Sequence, residues 1–143
     1  EGMEITGVDF SDKMLALAKR KMPKGRFIKF NFNEGLPKEL EGEKFDYIIS
    51  SYAIHHIDNK QKTAFLKGLI QKLSDNGFVL IGDIAFETRT DLERVRKQST
   101  HWDEAEYYIV TEEMIHELAK HQMRSEFVKT SNCSGVLVIP YSK

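Results

Sequence analysis

The order of hydrophobic patterns predicts an α/β fold: a mostly parallel sheet flanked by helices and closed by a C-terminal antiparallel hairpin. Three observations predict it. Short β-branched or aromatic runs alternate with helical patterns, the signature of a parallel sheet with helices on its faces. The run Gly77–Asp83 is continuously apolar apart from its ends, as a strand buried on both faces should be. The last two strand runs are separated only by Ser131-Asn132-Cys133-Ser134-Gly135, too short for a crossover helix, so they must pair antiparallel. A chain of 143 residues is expected to be one domain. At that size roughly 68–70% of the unfolded surface disappears on folding, enough for a core without disulfide or metal staples.

The strand runs are Glu4–Asp9, Arg26–Asn31, Phe45–Ser51, Gly77–Asp83, Ser125–Thr130 and Val136–Ile139. Ser11 is a good N-cap for a helix with Met14, Leu17, Ala18 and Met22 at helical spacing, stopped by Pro23 and Gly25. Asp58 or Asn59 caps a second helix that turns Phe65, Leu66, Leu69, Ile70 and Leu73 inward and ends around Asp75-Asn76-Gly77. A charged helix with a weak apolar face is expected from Thr88 to about Gln98. Thr111-Glu112-Glu113-Met114 reads as a capped helix start, running to about Gln122.

Composition removes several function classes. Hydrophobic residues at 41% and charged residues at 30% fit a globular chain and not a disordered one. The net charge of −1 and the pI near 6.6 supply no global field to gather nucleic acid or anionic lipid, so neither is an expected partner. The longest apolar runs are strand-like and predict no transmembrane helix. The single cysteine, Cys133, excludes an internal disulfide framework and a cysteine-rich zinc site, and a reducing cytoplasm is the expected compartment. The chain starts at Glu1, almost directly on a strand, which suggests trimming or a beginning partway through a domain.

The candidate site residues gather at strand ends. Asp9 ends the first strand run and Ser11 opens a helix; an acid there sits in the crevice where open α/β sheets bind ligands. Its two oxygens match a ribose diol, and the competing reading is a turn or helix-cap aspartate. Phe10 is a candidate wall for a purine or a core aromatic. Asn31-Phe32 ends the next run, offering an acceptor for an exocyclic amine beside an aromatic wall; turn chemistry with Asn33, Gly35 and Pro37 is the alternative. Ser50 and Ser51 end the third run and lead through Tyr52-Ala53-Ile54 to His55-His56. One of those histidines is a candidate proton acceptor, its ordinary pKa being near neutral, and a structural role is the alternative. Two adjacent histidines cannot face one way on a helix or strand, and His116 and His121 miss helical metal spacing, so no metal site is expected. Asp83, at another strand's end, is a candidate substrate contact or a helix cap. The cations Lys13 through Lys29 read as a solvated helix face.

Taken in order, these residues resemble the class I S-adenosylmethionine-dependent methyltransferases that act on small molecules. Ile5-Thr6-Gly7-Val8-Asp9-Phe10-Ser11-Asp12-Lys13-Met14-Leu15 resembles that family's second strand, ribose-binding acid and following helix. Asn31-Phe32 with Leu36-Pro37 resembles its adenine-binding segment, with Asn31 where Asp is usual. Phe45 to Ile57 resembles its fourth-strand motif, and Leu73-Ser74-Asp75-Asn76-Gly77-Phe78 the turn before the fifth strand. The resemblance implies a Rossmann-like methyltransferase sheet and S-adenosylmethionine as cofactor. Asp9, Phe10, Asn31 and Phe32 would surround its adenosine, with Ser50 and Ser51 near its methionine part. It also implies a small-molecule nucleophile as substrate, with His55, His56 or Asp83 as proton acceptors. The residues themselves predict a substrate cap over 84–110, since that segment follows a strand end at the crevice and carries Trp102, Tyr107 and Tyr108; a satellite core around those rings is the alternative.

The family's first strand and Gly-rich loop should precede residue 4 and are not in this sequence. In the family's sheet order, 3-2-1-4-5-7-6, that strand is central, so its absence would leave two unpaired strand edges open to self-association. The expectation is a C-terminal portion of a longer methyltransferase, or a site completed by another copy. Two rival functions stand beside it: a non-catalytic methyltransferase-like binding module, and a nicotinamide-dependent dehydrogenase, which also uses an acid after its second strand.

Overall fold

The computed structural model describes residues 2–142. The chain divides into two compact units, Glu1–Glu41 and Gly42–Lys143.

The first unit is one strand–helix–strand crossover. β1 (Thr6–Asp9) and β2 (Arg26–Lys29) pair in parallel, from Thr6 opposite Arg26 to Asp9 opposite Lys29. Between them runs α1 (Asp12–Lys21), with Ser11 as N-cap accepting the Met14 N–H at 3.4 Å. Asp12 in its first turn and Lys19, Arg20 and Lys21 in its last complement the helix dipole. No residue of α1 is fully buried, and Phe10 and Met14 are exposed. β1 ends at Asp9 as expected but starts at Thr6, and β2 stops at Lys29, short of the expected Asn31, because Asn31 caps a short 3-10 turn, Phe32–Glu34.

The second unit holds the core. Its sheet has the order β3-β4-β7-β6, with β5 pairing the end of β4. β3 (Phe45–Ser51), β4 (Leu73–Phe86) and β5 (Ile109–Val110) run parallel, while β6 (Glu126–Ser131) and β7 (Ser134–Pro140) form the expected antiparallel hairpin against β4. α2 (Asn59–Ile70) follows β3, α3 (Arg89–Gln98) follows β4, and α4 (Thr111–Lys120) follows β5. The alternate residues Val79 and Ile81 of β4 and Leu137 and Ile139 of β7 are sealed, as are Leu66 of α2 and Leu118 of α4. Each such side chain contributes about 1.5–3 kcal/mol by leaving water. The expected mixed, mostly parallel α/β architecture is the observed one. Among the described residues, no helix is long and apolar enough to cross a membrane.

Three local outcomes differ from the sequence patterns. The second helix ends at Ile70, and β4 begins at Leu73 with an irregularity where β3 shifts from Phe45–Leu73 to Tyr47–Phe78 pairing. Asn76 takes φ 66° there, and a Cβ on Gly77 would lie 3.0 Å from the Asp46 carbonyl, so the turn demands glycine. β5 went unseen because two residues carry no periodicity. Thr111 does not cap α4: its hydroxyl is buried and donates to the Phe86 carbonyl at 2.8 Å. In the segment 84–110, Trp102 and Tyr108 pack with Phe86, Leu92 and Val110 into a satellite core, their rings meeting edge to face at 4.8 Å, while Tyr107 is exposed.

Candidate functional site

Within the first unit, Asp9, Phe10, Asn31 and Phe32 share one end. β1 and β2 are parallel and in register, so the segments beyond Asp9 and Lys29 leave the pair on the same side. The Asp9 Oδ1 accepts the Ser11 N–H at 2.8 Å, the Asx turn that launches α1. Its Oδ2 takes no hydrogen bond among the described residues, and the side of Phe10 is open to solvent. Asn31 is exposed, and its Oδ1 accepts the Asn33 N–H at 3.1 Å, so the turn-forming alternative holds for that oxygen. The amide NH₂ remains as a donor. Phe32 is half-buried in the 3-10 turn.

In the second unit, Ser50, Ser51 and Asp83 lie at the carboxyl end of the parallel pair β3–β4, where Ser51 is opposite Gly82. Tyr52 then takes φ 48°, a left-handed turn costly for a non-glycine residue, and donates its N–H to the Gly82 carbonyl at 2.8 Å. That turn throws the chain into a 3-10 helix, Ile54–His56, over the end of β4. Asp83 is 1% exposed and receives four donors. The Ile54 N–H and His55 N–H reach Oδ2 at 2.9 and 3.3 Å, and the Ile84 N–H reaches Oδ1 at 2.7 Å. The fourth is the His55 Nδ1–H, at 2.6 Å from Oδ1. The carboxylate therefore fixes the imidazole tautomer: Nδ1 carries the proton and Nε2 presents its lone pair. That pair was not foreseen as a pair, since 28 positions separate its members.

Two further groups were missed. Lys62 is fully buried on α2, at helical spacing with Phe65, Leu66 and Leu69, a cation inside an apolar stripe. It donates to Asn59 Oδ1 at 3.0 Å and to the Tyr107 carbonyl. Burial pushes its ammonium down to about 8, against the opposing pull of the Asp83 and Asp58 charges. Glu106 is half-buried, with Oε1 3.6 Å from His55 Nε2. Burial, reinforced by Glu106, raises the Tyr108 phenol above its ordinary value. The segment is tied down by the Tyr107 N–H donating to the His55 carbonyl at 2.8 Å. The 3-10 turn also overrides the rule for adjacent side chains on regular elements: the His55 and His56 rings lie 4.1 Å apart. A separate cavity of about 570 Å³, lined by Thr63, Lys67, Arg89, Tyr108, Val110 and Met114 among others, does not include His55 or Asp83.

A family model for a methyltransferase domain matches residues 1–79, more than half of the chain and all of the strand ends just described except that of β4. The chain belongs to the methyltransferase domain family. It is 29% identical over 114 residues to an uncharacterized methyltransferase of Staphylococcus carnosus, covering 80% of this chain and 51% of that protein. A second uncharacterized methyltransferase, from Oceanobacillus iheyensis, is 28% identical over 139 residues, covering 88% of this chain and 62% of its own length. The chain thus spans between half and two thirds of the length of these relatives. Among solved structures, the magnesium protoporphyrin IX methyltransferase of Synechocystis PCC 6803, with bound SAH, superposes with a TM-score of 0.68 at 18% identity, over 99% of this chain and 65% of that one. The likeness extends the methyltransferase fold to the hairpin beyond residue 79.

Proposed function

We propose that this methyltransferase domain takes S-adenosylmethionine and transfers its methyl group to a small-molecule nucleophile. The acceptor's oxygen, nitrogen, sulfur or carbon attacks the methyl carbon in line as the bond to the sulfonium breaks, leaving S-adenosylhomocysteine. The cofactor carries the reactive methyl, and the protein supplies position and a dry environment. In this reading Asp9 receives the ribose hydroxyls, Phe10, Asn31 and Phe32 surround the adenine, and Ser50 and Ser51 serve the methionine part. His55 offers Nε2 to the acceptor's proton, with His56 beside it. Asp83 is a positioning residue for His55, because all its accepting capacity goes to four internal donors. Residues 84–110 serve as cap, with Glu106 and Tyr107 on the His55 side and Trp102 and Tyr108 as its packed root.

The observation that carries the proposal is the position of Asp9 in a methyltransferase domain: an acid at a parallel strand's carboxyl end with one oxygen in the turn and the other unspent. Calorimetric titration of S-adenosylmethionine, S-adenosylhomocysteine and NAD into the full-length protein tests it. Binding of the first two and not of NAD is expected. NAD binding would replace the reading with a dehydrogenase, and binding of none would favour a non-catalytic module.

A further inference from the structure

The hydrogen bonding at His55 sets two acceptors against each other. With Nδ1–H committed to Asp83, the Nε2 lone pair faces the Glu106 Oε1 at 3.6 Å. Two lone pairs at that distance call for a cation between them. The His56 ring adds a third donor, and one ligand atom from each of His55, His56 and Glu106 lies within 4.8 Å of the others.

We propose that His55, His56 and Glu106 bind one divalent transition metal ion of the zinc class. Two imidazoles and one carboxylate are the donor types that borderline ions take, whereas magnesium and calcium prefer oxygen alone. With metal–ligand bonds of about 2.0–2.1 Å, the 3.6 Å separation is the chord of an angle of roughly 120°, open by about 10° from tetrahedral. His56 must close by up to about 1.4 Å to reach the roughly 3.4 Å ligand spacing of a tetrahedron, and it is an exposed side chain. The outer shell is already built. A metal-bound histidine almost always gives its other N–H to a carboxylate or carbonyl, and His55 gives its own to a sealed Asp83 at 2.6 Å. The backbone link from Tyr107 to His55 and the Lys62 ammonium on the Tyr107 carbonyl hold the two ligand-bearing segments together.

Three protein ligands leave a fourth position for water or an acceptor atom. Metal binding stands apart from the methyl-transfer reading. Where both hold, the ion would occupy Nε2 in place of the proton, and an acceptor hydroxyl or thiol at the open position would give its proton to solvent water.

The test is zinc titration by calorimetry into the chelator-treated, untagged full-length protein carrying Cys133→Ser, followed by cobalt(II) absorption. One equivalent with micromolar or tighter affinity is expected, with a four-coordinate cobalt spectrum showing nitrogen ligation. Glu106→Gln and His56→Ala, neither at a sealed position, should each weaken binding at least about tenfold with the far-ultraviolet circular dichroism unchanged. His121→Ala should leave binding unchanged; it removes the rival surface pair formed with Glu117 at 3.6 Å. No stoichiometric binding, or loss in His121→Ala with none in the other two, overturns the proposal. The metal-free protein still reports on S-adenosylmethionine, so the two proposals fail separately.

Discussion

Asp9 and Asp83 are the acids where two parallel pairings run out, Asp9 as the last residue of β1 and Asp83 one residue past the β3–β4 pairing on a strand that continues to Phe86, and their surroundings fit them to the opposite tasks proposed for them. Asp9 is part-buried, holds one backbone N–H through Oδ1 and has Oδ2 unspent. Asp83 is sealed and saturated by three backbone N–H groups and an imidazole. An acid that is to bind a ligand must keep accepting capacity, while one that is to hold a catalytic side chain must spend it. Strand-end position therefore locates a candidate site, and the count of satisfied lone pairs separates binding from positioning.

The sharpest way to break this contrast is Asp83→Ala. It strands three N–H donors, two of them buried, and a buried imidazole, so unfolding stability should fall by at least about 3 kcal/mol, measured as a drop in the urea midpoint. A loss below about 1 kcal/mol would mean the pair is no framework for the second unit.

Lys62 gives the next effect. Its ammonium is pushed down to about 8 in the fold from an ordinary 10.5, so between those values the unfolded chain binds more protons than the folded one. By linkage the native state gains stability as pH rises through that window, up to about 3 kcal/mol at its upper end, and carries the full penalty below pH 8. The difference in unfolding free energy between the wild type and Lys62→Met, followed from pH 7 to 10.5, should move in the wild type's favour by that amount. A flat difference would show that Lys62 is not held charged against burial.

The helix caps repeat the contrast on a smaller scale. Asp58 caps α2 through the Lys60 and Gln61 N–H groups, both at 2.9 Å, whereas Ser11 caps α1 through one N–H at 3.4 Å. Asp58→Ala should cost about 1–2 kcal/mol and Ser11→Ala less than about 1 kcal/mol, by the same urea measurement. Equal costs would remove the difference drawn between the two caps.

The two regions also differ in how far the sequence reveals them. Ser11, Asp58 and Thr88 announce their helices because a cap is a local event, and the alternation of Val136–Ile139 announces β7 for the same reason. The candidate site of the first unit is legible because Asp9 closes β1 and Asn31 lies two residues past the end of β2. The His55 arrangement is not: Asp83 and Glu106 reach it across long stretches of chain, Lys62 joins it through the Tyr107 carbonyl, and only the fold brings them in. Lys62 did leave a trace, a cation at spacing 62, 65, 66, 69 in an apolar stripe. Glu106 left none, since an acid in a polar stretch reads as surface. The adjacent histidines misled because the rule for alternate faces assumes a regular helix or strand, and the positive φ of Tyr52 starts a 3-10 turn instead.

The most direct test of the account is S-adenosylmethionine affinity of the full-length protein carrying Asp9→Asn. The amide keeps an acceptor for the Ser11 N–H, so the turn into α1 survives, while the charge and one acceptor offered to the ribose are lost. Affinity should fall by about 1–2 kcal/mol, roughly 5- to 30-fold, with unfolding stability within about 0.5 kcal/mol of the wild type. Unchanged affinity together with a stability loss would make Asp9 a turn residue alone and contradict the proposed cofactor site.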